Sequence, residues 1–256
     1  MMINFKKIAV LAFVTCLPLV AFASTSDQLQ TATSDGHVAF VLVTEPGAIG
    51  IDQAKQMIQA AMAQVPGAVM IESNRDDAAN SDFIKKYKLA AAPVPLVLVF
   101  ASNGIMAGGN IASKLTTQQL VAMVPSPKKA EVLKALQSGQ AVYLTASRSG
   151  MATTSDVAKG CAAACTQMQG KCASIDVAMD DPAESDFLKQ LKVNLQATEP
   201  VTVVLNAQGQ LTGTFNGPVD VTNLVQAATK KVSSGCCPPN SGKTCAPTPA
   251  KKEGGK

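Results

Sequence analysis

Arg75-Asp76-Asp77-Ala78-Ala79-Asn80-Ser81-Asp82-Phe83-Ile84-Lys85 recurs as Met179-Asp180-Asp181-Pro182-Ala183-Glu184-Ser185-Asp186-Phe187-Leu188-Lys189, 104 positions later. Two Asp, an Ala, a Ser, a third Asp, a Phe and a Lys coincide in register. After one inserted residue Pro95 meets Pro200 and Gly104 meets Gly209. Self-similarity at a fixed offset means one folding unit written twice. The chain is 256 residues long, enough for two domains of ordinary size.

Both copies carry the same punctuation. In the first, the apolar run His37 to Thr44 suits a buried strand. Ile51, Ala54, Met57, Ile58, Ala61, Met62 and Val65 then recur at helical spacing, and Pro66-Gly67 stops that helix. Val69 to Ile71 reads as a strand. Asp77 or Ser81 can cap a helix burying Phe83, Ile84 and Tyr87. Leu96 to Phe100 is β-rich, Asn103-Gly104 reads as a hairpin turn, and a strand from Ile105 and a helix Thr116 to Val124 close the unit. The second copy gives strands at Ala141 to Thr145, Ser174 to Val177 and Val201 to Leu205, and another after Gly209. Its helices fall at about Thr153 to Met168, Ala183 to Leu191 and Val219 to Val232. The order is β-α-β-α-β-β-α in each. Pro125-Ser126-Pro127 opens an extra helix between them, with Ser126 as cap, and Asp27 to Thr31 is a weak counterpart ahead of the first copy.

The ends read differently. Lys6 and Lys7 precede an apolar run from Ile8 to Phe22 that closes on Ala21-Phe22-Ala23, as in an export leader cleaved after Ala23. Pro18 and the shortness of the run argue against a membrane span. A lipid anchor on Cys16 is the weaker alternative, since Thr15 is a poor residue before an acylated cysteine. The expected plan is a leader at 1–23, repeats at 24–125 and 126–232, and a Cys/Pro/Gly/Lys tail at 233–256. The expected location is periplasmic or secreted. The formal charge of +4 falls by two when Lys6 and Lys7 leave with the leader, which gives no reason to invoke nucleic acid or an anionic membrane.

The element order, an acidic turn after the second strand and a proline opening the third resemble the thioredoxin superfamily. The segments that carry the likeness are Pro95-Leu96-Val97-Leu98-Val99-Phe100 and Pro200-Val201-Thr202-Val203-Val204-Leu205. The resemblance covers nearly all of 35–232. It implies an α/β fold of two tandem domains, each a mixed sheet flanked by helices. It also implies cis peptide bonds at Val94–Pro95 and Glu199–Pro200, facing a groove. The departure is chemical. The family's Cys-x-x-Cys would stand where this chain has Thr44-Glu45-Pro46-Gly47-Ala48 and Ala146-Ser147-Arg148-Ser149-Gly150. A thiolate activated at a helix N-terminus is missing from both.

Six cysteines remain beyond the leader: Cys161, Cys165, Cys172, Cys236, Cys237 and Cys245, all in the second half. Three readings stay open. Disulfides can staple the tail to the second repeat, and Cys172 lies within reach of Cys165. A soft metal, zinc or copper, can take Cys161, Cys165 and Cys172 or Cys236. Cys161 with Cys165, or Cys236 with Cys237, can form a redox dithiol. Cys161 and Cys165 are one helical turn apart, about 5–6 Å between Cβ atoms, too far for an undistorted bond to each other. His37 stands alone and lacks catalytic partners. Asp76-Asp77 and Asp180-Asp181 read as caps, Met57 and Met62 as core. No catalytic residue and no cofactor is expected. The expected function is an exported, non-catalytic binding or scaffold protein that takes an extended peptide or protein partner beside the proline. A thiol oxidoreductase using the second repeat's cysteines and a soft-metal binder are the alternatives.

Overall fold

The computed structural model describes residues 23–232. The leader through Phe22 and the tail from Ser233, with Cys236, Cys237 and Cys245, lie outside the described residues. The chain divides into two compact units between Leu133 and Lys134.

The first unit runs α1 (Thr25–Ser34), β1 (Ala39–Thr44), α2 (Ile51–Met62), β2 (Val69–Asn74), α3 (Ser81–Lys86), β3 (Leu96–Phe100), β4 (Met106–Ile111) and α4 (Thr117–Ala122). Its sheet has the order β2-β1-β3-β4. β1 and β2 are parallel, so the chain must cross over between them, and α2 is that crossover. β3 runs antiparallel to β1, and β4 to β3. β1 reads Ala-Phe-Val-Leu-Val because it is central and covered on both faces. Val41 and Val43 join Phe83, Ile84 and Phe100 on one side. Phe40 and Leu42 join Ile58, Ala61 and Leu120 on the other. The alternation is that of a strand whose neighbouring side chains point to opposite faces.

The second unit repeats the plan. It comprises β5 (Ala141–Ser147), α6 (Thr154–Gln167), β6 (Cys172–Ala178), α7 (Ser185–Gln190), β7 (Val201–Leu205), β8 (Leu211–Asn216) and α8 (Val221–Thr229), in the sheet order β6-β5-β7-β8. The helix α5 (Pro127–Gln137) precedes it, as α1 precedes the first. Thr33 of α1 lies 3.7 Å from where a Cβ on Gly104 would sit, and Leu136 of α5 lies 3.4 Å from that point on Gly209. α1 and α5 thus approach the matching hairpin turns of the two repeats, and the boundary between the units falls inside α5.

The duplication extends to backbone detail. Register slips at Val99/Phe100 on β3 and at Val204/Leu205 on β7. Lys88 and Lys192, each just past a helix end, take left-handed φ of 55° and 59°. Each unit thus has the strand order and connectivity of a thioredoxin-like domain. Differences from the sequence expectation are at element ends. The acidic turn does not cap α3 directly: Asp77 accepts from the Ala79 N–H and caps a 3-10 turn, Ala78–Asn80, that leads into the helix.

Candidate functional site

The first unit carries a cleft beside Pro95. The loop between β1 and α2, Glu45 to Gly50, forms one lip. Gly50 caps α2 at φ 87°, a left-handed conformation that any Cβ would strain. The lip ends on Ile49, which is 93% exposed. Gln53, Ala54 and Met57 of α2 form the floor, and Val94 and Pro95 the opposite wall. Ile111 to Ser113 and Leu115 to Gln118 close the far side of a space of about 660 Å³. Of the lip loop only Ile49 and Gly50 line this space, and no lining residue carries an ionisable side chain. Met57, read as core from its helical spacing, packs against the core beneath α2 and also lines this space.

The shape of the cleft is held from behind by Arg75. Its backbone N–H donates to the Thr44 carbonyl at 2.9 Å. Its guanidinium donates from Nη1 to the Ala92 carbonyl at 2.6 Å and from Nη2 to the Glu45 carboxylate. One planar side chain therefore ties the lip to the segment that delivers Val94–Pro95, a use to which a guanidinium fork is suited. Thr116 and Gln119 fix the far wall through a reciprocal cap on α4.

The Val94–Pro95 peptide bond is cis. Glu199–Pro200 is trans, which corrects the expectation of a second cis bond. The Pro95 carbonyl accepts from Ala112 N–H at 2.9 Å and the Pro200 carbonyl from Gly217 N–H at 2.8 Å. Both strands are entered through the matching hydrogen bond, and Glu199–Pro200 has the trans form that X–Pro bonds prefer by default. Around Pro200 the chemistry also differs. Glu199 stands where the first unit has Val94, and its carboxylate lies 2.8 Å from where a Cβ on Gly217 would sit. The clasp is gone as well: Met179 occupies the place of Arg75, and Arg148 that of Glu45.

The cysteines of the second unit lie away from its lip. Cys165 is bonded to Cys172, with Cα atoms 5.4 Å apart, joining the last turn of α6 to the first residue of β6. Cys161 is a fully buried free thiol. The arrangement bears on three sequence expectations. Cys165 takes Cys172 as its partner and Cys161 is covered, so among the described residues no cysteine offers a free, exposed sulfur for a staple to the tail. Cys161 and Cys165 are not bonded to each other. The metal set of Cys161, Cys165, Cys172 and Cys236 loses two thiolates to the disulfide, and no metal-holding cluster of His, Cys, Asp or Glu occurs among the described residues.

Cys161 belongs to a substitution in the core that the sequence alone did not reveal. In the first unit, Leu42 pairs across the sheet with Val97, and Ile58 of α2 is buried in the same cluster. The equivalent cross-strand pair is Thr145 with Thr202, and the equivalent helix residue is Cys161. All three are buried. Thr145 Oγ1 lies 3.7 Å from Cys161 Sγ. Burial pushes the thiol's pKa up. Hydrogen bonds from Thr145 and Thr202 pull against that, and the charge of Asp176 adds to it. The thiol is thus held protonated and covered, the opposite of an activated nucleophile. Tyr143, in the place of Phe40, donates to Met168 Sδ at 3.1 Å, and its pKa is pushed up to about 12, first by burial and then by Cys161.

No family model and no curated protein sequence matches the chain. Solved structures do. The first two thioredoxin domains of Saccharomyces cerevisiae Eps1p align over 82% of this chain and 97% of theirs, at 8% identity and a TM-score of 0.31. The zinc-bound form of human ERp44 aligns over 78% of this chain and 57% of its own, at 12% identity and 0.35. Fasciola hepatica thioredoxin aligns over 39% and 93%, at 14% identity and 0.32. By its own strand order and connectivity, the chain is a tandem pair of thioredoxin-like domains.

Proposed function

We propose that the protein is an exported, non-catalytic binding or scaffold protein whose first repeat takes an extended, uncharged, apolar segment of a partner in the cleft beside Pro95. One observation carries the reading. An exposed isoleucine, Ile49, stands at the lip where a nucleophile would otherwise be, over a cleft with no ionisable lining. A large aliphatic side chain left in water contributes nothing to the fold; against an apolar ligand it is a contact worth burying. Gln53, Ser113, Thr117 and Gln118 supply hydrogen-bonding groups around an apolar centre, the usual composition of a recognition site. Export is supported by the leader pattern and by a disulfide in the second unit.

The experiment is peptide binding. Fluorescent peptides of neutral aliphatic, acidic and basic composition are titrated against the protein. Neutral aliphatic peptides should bind best, and Ile49→Asp should weaken that binding by at least about tenfold, the scale of a lost interface anchor. Equal binding of all three classes, or an unaffected Ile49→Asp variant, sinks the reading. An insulin-reduction assay is the companion measurement. Turnover abolished by Cys165→Ala would return the oxidoreductase reading in its place.

A further inference from the structure

We infer that the second unit binds a small zwitterion of the α-amino-acid class at its own lip, with the anionic group on Arg148 and the cationic group on Asp176. The two units place charge differently at matching points. In the first, Glu45 is paired with Arg75, and Glu72 of β2 with Lys55 of α2 at 2.8 Å. Register equates Glu72 with Asp176: Glu72 stands beside Leu42, and Asp176 beside Thr145. In the second unit Met179 takes the place of Arg75 and Ala158 that of Lys55. Both counter-charges have become apolar. Asp176 keeps the sign of Glu72, and Arg148 reverses that of Glu45.

The two charges left over meet at one place. Neither Arg148 nor Asp176 forms an ion pair among the described residues, with each other or with any other group. Both border a single depression of about 350 Å³, with Ser147, Ser149, Met151 and Thr154 around them. It lies at the carboxyl ends of the parallel strands β5 and β6, the end at which α/β sheets receive ligands. Its volume is at the small end of the range for small-molecule sites.

The chemistry selects the ligand. A guanidinium fork matches a carboxylate with two parallel hydrogen bonds. A carboxylate and hydroxyl oxygens accept the three N–H groups of an ammonium. α6 starts beside the depression at Thr154 without a side-chain cap, so its positive end adds to the pull of Arg148 on an anion. Asp156 of the same first turn is already engaged by Lys159. Arg148 and Asp176 together carry no net charge. A simple anion therefore meets the repulsion of Asp176 and a simple cation that of Arg148, whereas a molecule bearing both charges satisfies the two at once.

Amide NMR spectra of the isotope-labelled, processed protein test this, titrated with glycine, L-serine and L-leucine and separately with acetate and methylammonium. The amino acids should shift the amides of Ser147 to Met151 and of Asp176 to Ala178 saturably, leaving those beside Pro95 in place. Each half-ligand should bind at least about tenfold more weakly, the scale of one lost charged hydrogen bond. Arg148→Gln and Asp176→Asn should each weaken amino-acid binding by a similar factor. Neither side chain makes a hydrogen bond among the described residues, so the spectrum elsewhere should be unchanged and report that the fold is intact. No saturable shift with any of the three amino acids, a half-ligand bound as tightly as they are, or binding indifferent to both substitutions overturns the inference.

Discussion

Tyr143 shows what burial does to a titratable group. Its hydroxyl has one sulfur partner and no room for the water that an anion needs. The folded pKa is raised from 10.0 to about 12. A group raised on folding stabilises fully below its unfolded value and loses that contribution as pH climbs through the folded one. The protein should therefore lose about 2–3 kcal/mol between pH 10 and pH 12 from this residue. Tyr143→Phe, which restores the ring found at Phe40, should flatten that part of the curve in chemical denaturation. An unchanged slope would mean that the phenol is solvated. Ile49→Asp is the contrasting case: at 93% exposure it should change stability by less than about 0.5 kcal/mol in the same assay, while binding collapses. Neither effect was visible in the sequence. Alternation places Tyr143 in a strand, but whether its hydroxyl finds water depends on α6 above it.

Among the elements, the loops divide into those written in the sequence and those settled only by distant contacts. The repeat, the helix stops and the proline-led strands were legible because each rests on local chemistry. Arg75 was not, because its partners Glu45 and Ala92 are 30 and 17 residues away in the chain. A trace did exist: Arg75 aligns with Met179 at the head of the segment where the copies otherwise agree. Such a break in an internal repeat is where a function of one copy would show. Arg75→Ala should cost the fold about 1 kcal/mol or less, the worth of a partly exposed ion pair. Yet it should weaken peptide binding several-fold by freeing both walls of the cleft, and a parallel loss of both would instead mark Arg75 as merely structural. The pairing of Cys165 with Cys172 was open for a related reason. Spacing permits several partners, and only the meeting of the end of α6 with the start of β6 selects one.

At the scale of the whole molecule, two copies of one plan have diverged in opposite directions. The first keeps an aliphatic core beneath α2, a cis bond and an uncharged cleft. The second exchanges Leu42, Ile58 and Val97 for Thr145, Cys161 and Thr202 and adds a covalent link. By the chain-entropy relation, a bond closing so short a loop is worth about 2.5 kcal/mol. Cys165→Ser with Cys172→Ser should remove that much in chemical denaturation, with the cleft of the first unit still binding its peptide. The positions matching this pair in the first copy are Met62 and Ala68, neither able to crosslink. Reducing agent is consequently a dial fitted to one half alone. Turned up, it should lower the melting point of residues beyond 134 and leave the earlier half melting where it did, so that a single heating curve separates into two.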